Sequence, residues 1–164
     1  LQIASNYLCI SQNGLYGVAG EEHGEIYLIN LASNKKIKRL NINAKNAVTA
    51  VSYSPDGLYC YYGTRGGLIN IWNPSKVEKM STLIGHNSYV DSITTQPQGN
   101  KIYSSYFDNK IIQWDILNKE KILTINISRT FNENLRIIPN KNLVYVNDKV
   151  KLEKWDLSED THSP

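Results

Sequence analysis

The run Val48-Thr-Ala-Val-Ser-Tyr-Ser-Pro-Asp-Gly57 leads into Leu58-Tyr-Cys-Tyr-Tyr-Gly-Thr-Arg-Gly-Gly67 and then Leu68-Ile-Asn-Ile-Trp72-Asn73, and this stretch decides the fold. Residues 48–54 are rich in β-branched and aromatic side chains and stop at Pro55-Asp56-Gly57, where proline presets one turn dihedral and glycine supplies a positive φ. A hairpin is expected there. Leu58–Gly63 reads as the second strand, Thr64–Gly67 as a turn, Leu68–Trp72 as the third strand, and Val77–Leu83 as a fourth that ends at Gly85-His86.

The pattern repeats. Trp72, Trp114 and Trp155 are 42 and 41 residues apart, and each is followed by Asn73, Asp115 or Asp156. The turn formers Gly57, Gly99 and Asn140 each stand 15 residues before a tryptophan; Gly14, 43 residues before Gly57, marks an earlier unit in which Ile29-Asn30 replaces Trp-Asx. A period of this length signals a repeat architecture. The third unit reads as strands Tyr89–Thr95, Lys101–Tyr106, Lys110–Trp114 and Lys121–Asn126, and no helical period is present. Each short sheet is apolar on both faces (Leu68-Ile69, Ile71-Trp72, Ile111-Ile112), so it must stack against a neighbour on either side. Radial stacking of such sheets is a β-propeller.

These residues resemble the WD40 repeat family: Val48–Gly57 is similar to its inner strand and turn, and Trp72-Asn73, Trp114-Asp115 and Trp155-Asp156 fall where its Trp-Asp dipeptide stands. The third unit also has Gly85-His86 at the Gly-His position. The resemblance implies a buried hydrogen-bond relay among His86, Ser104, Asp108 and Trp114, since a buried Asp must be paired and converging donors pin the turn. Gly66, His23 and Lys149 stand at the Asp position of the other units, so one complete relay is expected.

The fold expected is all-β: four consecutive WD40-like blades over residues 1–157 (about 1–43, 44–86, 87–128 and 129–157), followed by a polar tail, 158–164. The count of expected strands is 15, one short of four complete blades, so the chain reads as an excerpt of a seven- or eight-bladed propeller.

Composition agrees with a folded domain: 164 residues, 41 % hydrophobic, 20 % charged, with 11 Tyr and 19 Asn. Asparagine tolerates left-handed geometry and suits a chain of many tight turns. The net charge of +3 is dispersed except at Lys35, Lys36, Lys38 and Arg39, which fall on an expected outer strand where Lys guards an edge against pairing. No signal peptide or membrane-spanning run is read from the sequence. Cys9 and Cys60 lie in apolar segments and read as two buried free thiols of a protein in the cytosol or nucleus.

No cofactor and no metal site are expected. His86, Asp108 and Ser104 could be drawn as a nucleophilic triad, but the structural relay accounts for the same residues. His23 in Glu21-Glu22-His23-Gly24 lacks a second ligand cluster. Gly63-Thr64-Arg65-Gly66-Gly67 joins two antiparallel strands, whereas a phosphate loop leads into a helix. The expected function is a non-catalytic scaffold for one or more proteins or peptides. Its contacts lie on the end of the propeller that carries Arg65, Asn87, Tyr89, Phe107 and Lys45, with Ala47, Ser128, Thr130, Glu22 and Asp148 nearby. Arg and aromatic side chains bury much area for each rotamer fixed, which suits binding hot spots. A propeller binding phosphoinositide or RNA through a basic surface is the alternative; a catalytic propeller is disfavoured by the lack of a matched carboxylate or His set on the loops.

Overall fold

The structure, a computed structural model, describes residues 7–21, 23–41, 47–74, 76, 79–106, 109–126, 135–138, 143–147 and 152–156. Fifteen strands lie among them, in four antiparallel sheets that follow chain order. The first sheet contains β1 (Tyr7–Ile10), β2 (Tyr16–Gly20), β3 (Glu25–Asn30) and β4 (Lys35–Asn41). The second contains β5 (Val48–Tyr53), β6 (Cys60–Thr64), β7 (Leu68–Trp72) and β8 (Lys79–Ile84). The third contains β9 (Val90–Thr95), β10 (Lys101–Tyr106), β11 (Lys110–Asp115) and β12 (Glu120–Asn126). Three strands, β13 (Leu135–Ile138), β14 (Leu143–Asn147) and β15 (Leu152–Asp156), form the fourth.

Several strand limits differ from the sequence reading. The second strand of the second unit begins at Cys60, not Leu58. The reason lies in the turn: Asp56 Oδ1 accepts from the Leu58 amide at 2.9 Å and Ser54 Oγ from the Tyr59 amide at 2.9 Å, so both donors are taken before the ladder starts. Leu58 is left exposed. The inner strand of the third unit starts at Val90 rather than Tyr89, its third strand runs on to Asp115, and its fourth starts at Glu120. In the second unit the fourth strand is Lys79–Ile84; Val77 falls outside the described residues. The thiols also differ from expectation, since Cys60 is buried but Cys9 only half-buried.

The first three sheets stack face to face through two equivalent cores. Between the first and second sheets lie Val18, Ile26, Leu28, Val48, Cys60, Tyr62 and Trp72. Between the second and third, the repeat puts Tyr61, Ile69, Ile71, Val90, Ile102 and Trp114 in matching places, with Leu83 behind them. At the inner end the backbones come very close. A Cβ built on Gly20 would lie 2.4 Å from Val48 Cγ1, and one on Gly63 would lie 2.5 Å from Val90 Cβ. The two glycines occupy equivalent positions at the end of the second strand, and each receives the first valine of the next sheet's inner strand. At the first junction the Val48 amide also donates to the Glu21 carbonyl at 3.4 Å, tying one sheet to the next.

Because Val is stiff at χ1 and sits in both cores, it cannot swing aside for an added methyl. Gly63→Ala is therefore expected to destabilise the protein by about 1–3 kcal/mol, the usual cost of overpacking, and Val90→Ala in the same chain should recover part of that loss. Urea unfolding of the two single variants and the double variant checks this; a stable Gly63→Ala chain would contradict the packing.

Candidate functional site

Antiparallel order fixes which side chains share an end of the molecule. The turns between second and third strands and the connections into the inner strands lie at one end. Arg65, in the turn joining β6 to β7, is exposed there, as is Asn87; Tyr89 is half-buried just before β9. Burial raises the Tyr89 phenol pKa, with Asp91 and Tyr7 adding to the shift. Ala47 is buried rather than presented, because its carbonyl accepts from the Arg65 amide at 2.9 Å. Lys45, Phe107, Glu22, Ser128, Thr130 and Asp148 lie outside the described residues.

Behind this end, three of the four expected relay residues converge. Trp114 Nε1 donates to Ser104 Oγ at 2.8 Å, and His86 Nε2 stands 2.6 Å from the same oxygen. All three are buried, and the His86 and Trp114 rings meet edge to face with centroids 6.2 Å apart. Asp108 lies outside the described residues. The indole N–H can only donate, so Ser104 Oγ accepts from it, and the direction of the bond between Ser104 and His86 follows the imidazole tautomer. The sequence reading missed the part played by Gly85. A Cβ there would lie 2.6 Å from Trp114 Cη2, so the glycine of Gly85-His86 makes room for the indole; its place beside His86 was the available signal.

The equivalent site in the second sheet is different. Tyr62 stands where Ser104 does, and the buried Trp72 Nε1 has no hydrogen-bond partner among the described residues.

Burial lowers the His86 pKa to about 3, with Lys110 and Lys121 contributing, so the imidazole is neutral near pH 7. A neutral, buried histidine bonded to a serine fits a structural element better than a general base. Cys60 is likewise inert, since burial pushes its thiol pKa well up, with Cys9 adding to the effect. His23 is exposed in the turn closed by the Gly24 amide donating to Glu21 O at 3.1 Å. Among the described residues no group of three or more His, Cys, Asp or Glu could hold a metal ion, and no helix is long and apolar enough to cross a membrane.

Residues 34–73 and 77–115 match the family model for the WD domain, G-beta repeat. The chain carries two WD40 repeats, which together make up just under half of it. Each matched segment contains a fourth strand and the first three strands of the following sheet, so the sequence repeat is offset from the sheet by one strand. Human echinoderm microtubule-associated protein-like 3 is 32 % identical over 79 residues, 46 % of this chain and 9 % of that protein. The antiviral protein SKI8 of Saccharomyces cerevisiae is 24 % identical over 139 residues, 72 % of this chain and 35 % of that protein. Among solved structures, the WD40 repeats of RRP9 superpose with a TM-score of 0.86 at 16 % identity, covering 98 % of this chain and 50 % of that one. The chain thus spans about half the length of that neighbour and less of its curated relatives, and the likeness at such identity concerns the fold.

Folded His86 resists the proton that an unfolded histidine accepts near pH 6.5. Its contribution to stability is therefore complete above about pH 6.5 and declines as pH falls toward 3, by at most about 1.4 kcal/mol per pH unit. Urea unfolding at pH 7 and pH 4.5 should show a loss in the parent chain about 2 kcal/mol larger than in His86→Gln. Identical pH curves would contradict the neutral, buried assignment.

Proposed function

We propose that the chain is a non-catalytic interaction scaffold that binds a protein or peptide through the end carrying Arg65, Asn87 and Tyr89, with Lys45 and Phe107 completing the surface. The observation that carries the reading is the placement of an exposed Arg and a half-buried Tyr on neighbouring sheets, at one end of a packed β framework. Rigid sheets hold such loops in place, so binding orders little that was free before. His86, Ser104, Asp108 and Trp114 serve as the internal relay that fixes the third sheet beneath this end; they do no chemistry.

A protein partner is favoured over a polyanion because three of the four clustered basic side chains have partners of their own. Lys36 Nζ sits 3.9 Å above the Tyr27 ring, Lys38 Nζ donates to Pro74 O at 3.2 Å, and Arg39 pairs with Glu25. We also infer that the four sheets belong to a larger ring of seven or eight. The support is the outward face of the first sheet, where Leu8 and Ile10 are 62 % and 55 % exposed beside the apolar cluster of Ala19, Tyr27 and Ile29. Such a face matches the inter-sheet cores in composition.

The test compares proteins retained by the immobilised parent chain with those retained by its variants. Tyr89→Ala and Arg65→Ala should each weaken capture by about 2 kcal/mol without lowering thermal stability, whereas a bland surface loop gives less than about 0.5 kcal/mol. Binding that survives both changes but fails with Lys36→Ala and Lys38→Ala would move the site to the blade edge.

A further inference from the structure

The end opposite Arg65 and Tyr89 carries a groove at each of the first two inter-sheet junctions, built from equivalent residues. The groove between the first and second sheets has a volume near 280 Å³ and is lined by Tyr16, Leu28, Lys38, Gly57 and Pro74 among others. Counting forward one repeat, Tyr59, Ile71, Ser81, Gly99 and Ile116 line the groove between the second and third sheets. The strand register confirms the central match, since Leu28 faces Lys38 across β3 and β4 as Ile71 faces Ser81 across β7 and β8.

One substitution sets the two apart. In the first groove Lys38 crosses from one sheet to the next and its ammonium donates to the Pro74 carbonyl at 3.2 Å. In the second groove the same position is Ser81, too short to cross, and the volume rises to about 470 Å³. The buried Ser81 Oγ has no hydrogen-bond partner among the described residues. Tyr59, Ile71 and Ile116 offer apolar walls, and the Asp56 carboxylate stands at the rim. A long aliphatic stem ending in a cation satisfies walls, hydroxyl oxygen and carboxylate together, as lysine and arginine side chains do when they bury the stem and keep the head paired. Lys119 also lines the groove and opposes a second positive charge.

We propose that the groove between the second and third sheets receives one lysine or arginine side chain of a partner peptide, flanked by uncharged or acidic residues, in the place that Lys38 fills in the first groove. The incoming cation lies near Ser81 Oγ, the Ile116 carbonyl and Asp56. This site is separate from the surface around Arg65 and Tyr89, so the two stand or fall independently.

The experiment titrates the full 164-residue chain with the blocked tripeptide acetyl-Ala-Lys-Ala-amide and follows the backbone amide signals of Ser81 and Ile116 by NMR. Parallel titrations use the same peptide with norleucine or glutamate at the centre. Saturable shifts are expected with the lysine peptide, at an affinity at least fivefold above either comparison peptide. Ser81→Lys, which supplies the missing bridge from within, should lower that affinity at least tenfold. Asp56→Asn, which keeps the oxygen that holds the turn, should lower it about threefold and serves if Ser81→Lys does not fold. Norleucine binding as tightly as lysine would make the groove merely apolar, and tighter glutamate binding would make Lys119 the dominant group. Either result, an absence of saturable shifts, or indifference to both substitutions overturns the proposal.

Discussion

The approach of each inner strand to the sheet before it is the constraint on which the remaining structure depends. Val48 against Gly20 and Val90 against Gly63 leave no space for a side chain at the glycine. Sheets arranged about an axis must converge at their inner strands and diverge outward, so residue size has to grow with distance from the axis. Glycine and valine occupy the inner end, the aromatic rings of Tyr61, Tyr62, Trp72 and Trp114 fill the middle, and long or absent side chains decide what happens at the outer grooves. Lys38 spans one groove and Ser81 leaves the next open. Packing at the centre thus sets where the periphery has room.

Polar contacts are distributed unevenly over this frame. Against the third sheet His86, Ser104 and Trp114 form one buried group, with Gly85 making room for the indole, while the second holds Trp72 with Tyr62 in the serine position and no partner for the indole nitrogen among the described residues. An unpartnered buried donor costs about 1–3 kcal/mol. Close packing around Trp72, which is almost wholly buried, offsets that cost. The connection running from Gly85 into β9 is held by both packing and hydrogen bonds, and Asn87 and Tyr89 project from it.

The sheets were readable because their markers are local. The Pro55-Asp56-Gly57 turn, the Trp72, Trp114 and Trp155 spacing and the alternation of apolar segments each lie within a few residues, and backbone chemistry forces their meaning. Strand limits were less so: nothing in Leu58-Tyr59 shows that Ser54 and Asp56 will capture their amides. Site residues divided along similar lines. Arg65 and Asn87 follow from strand order, whereas the burial of Ala47 and the half-burial of Cys9 depend on neighbouring sheets and have no local signature. The groove at Ser81 emerges only when Lys38 is compared with its counterpart a repeat later, a comparison between sheets that no single stretch contains.

The most direct test of the account is a proton NMR measurement of through-space contacts at the inner ends of the sheets. Stacked sheets predict strong cross-peaks between the Gly20 Hα protons and the Val48 methyls, and between the Gly63 Hα protons and the Val90 methyls. If both are absent while contacts across strands within one sheet, such as Tyr62 to Asn70, are present, the sheets form but do not stack as described.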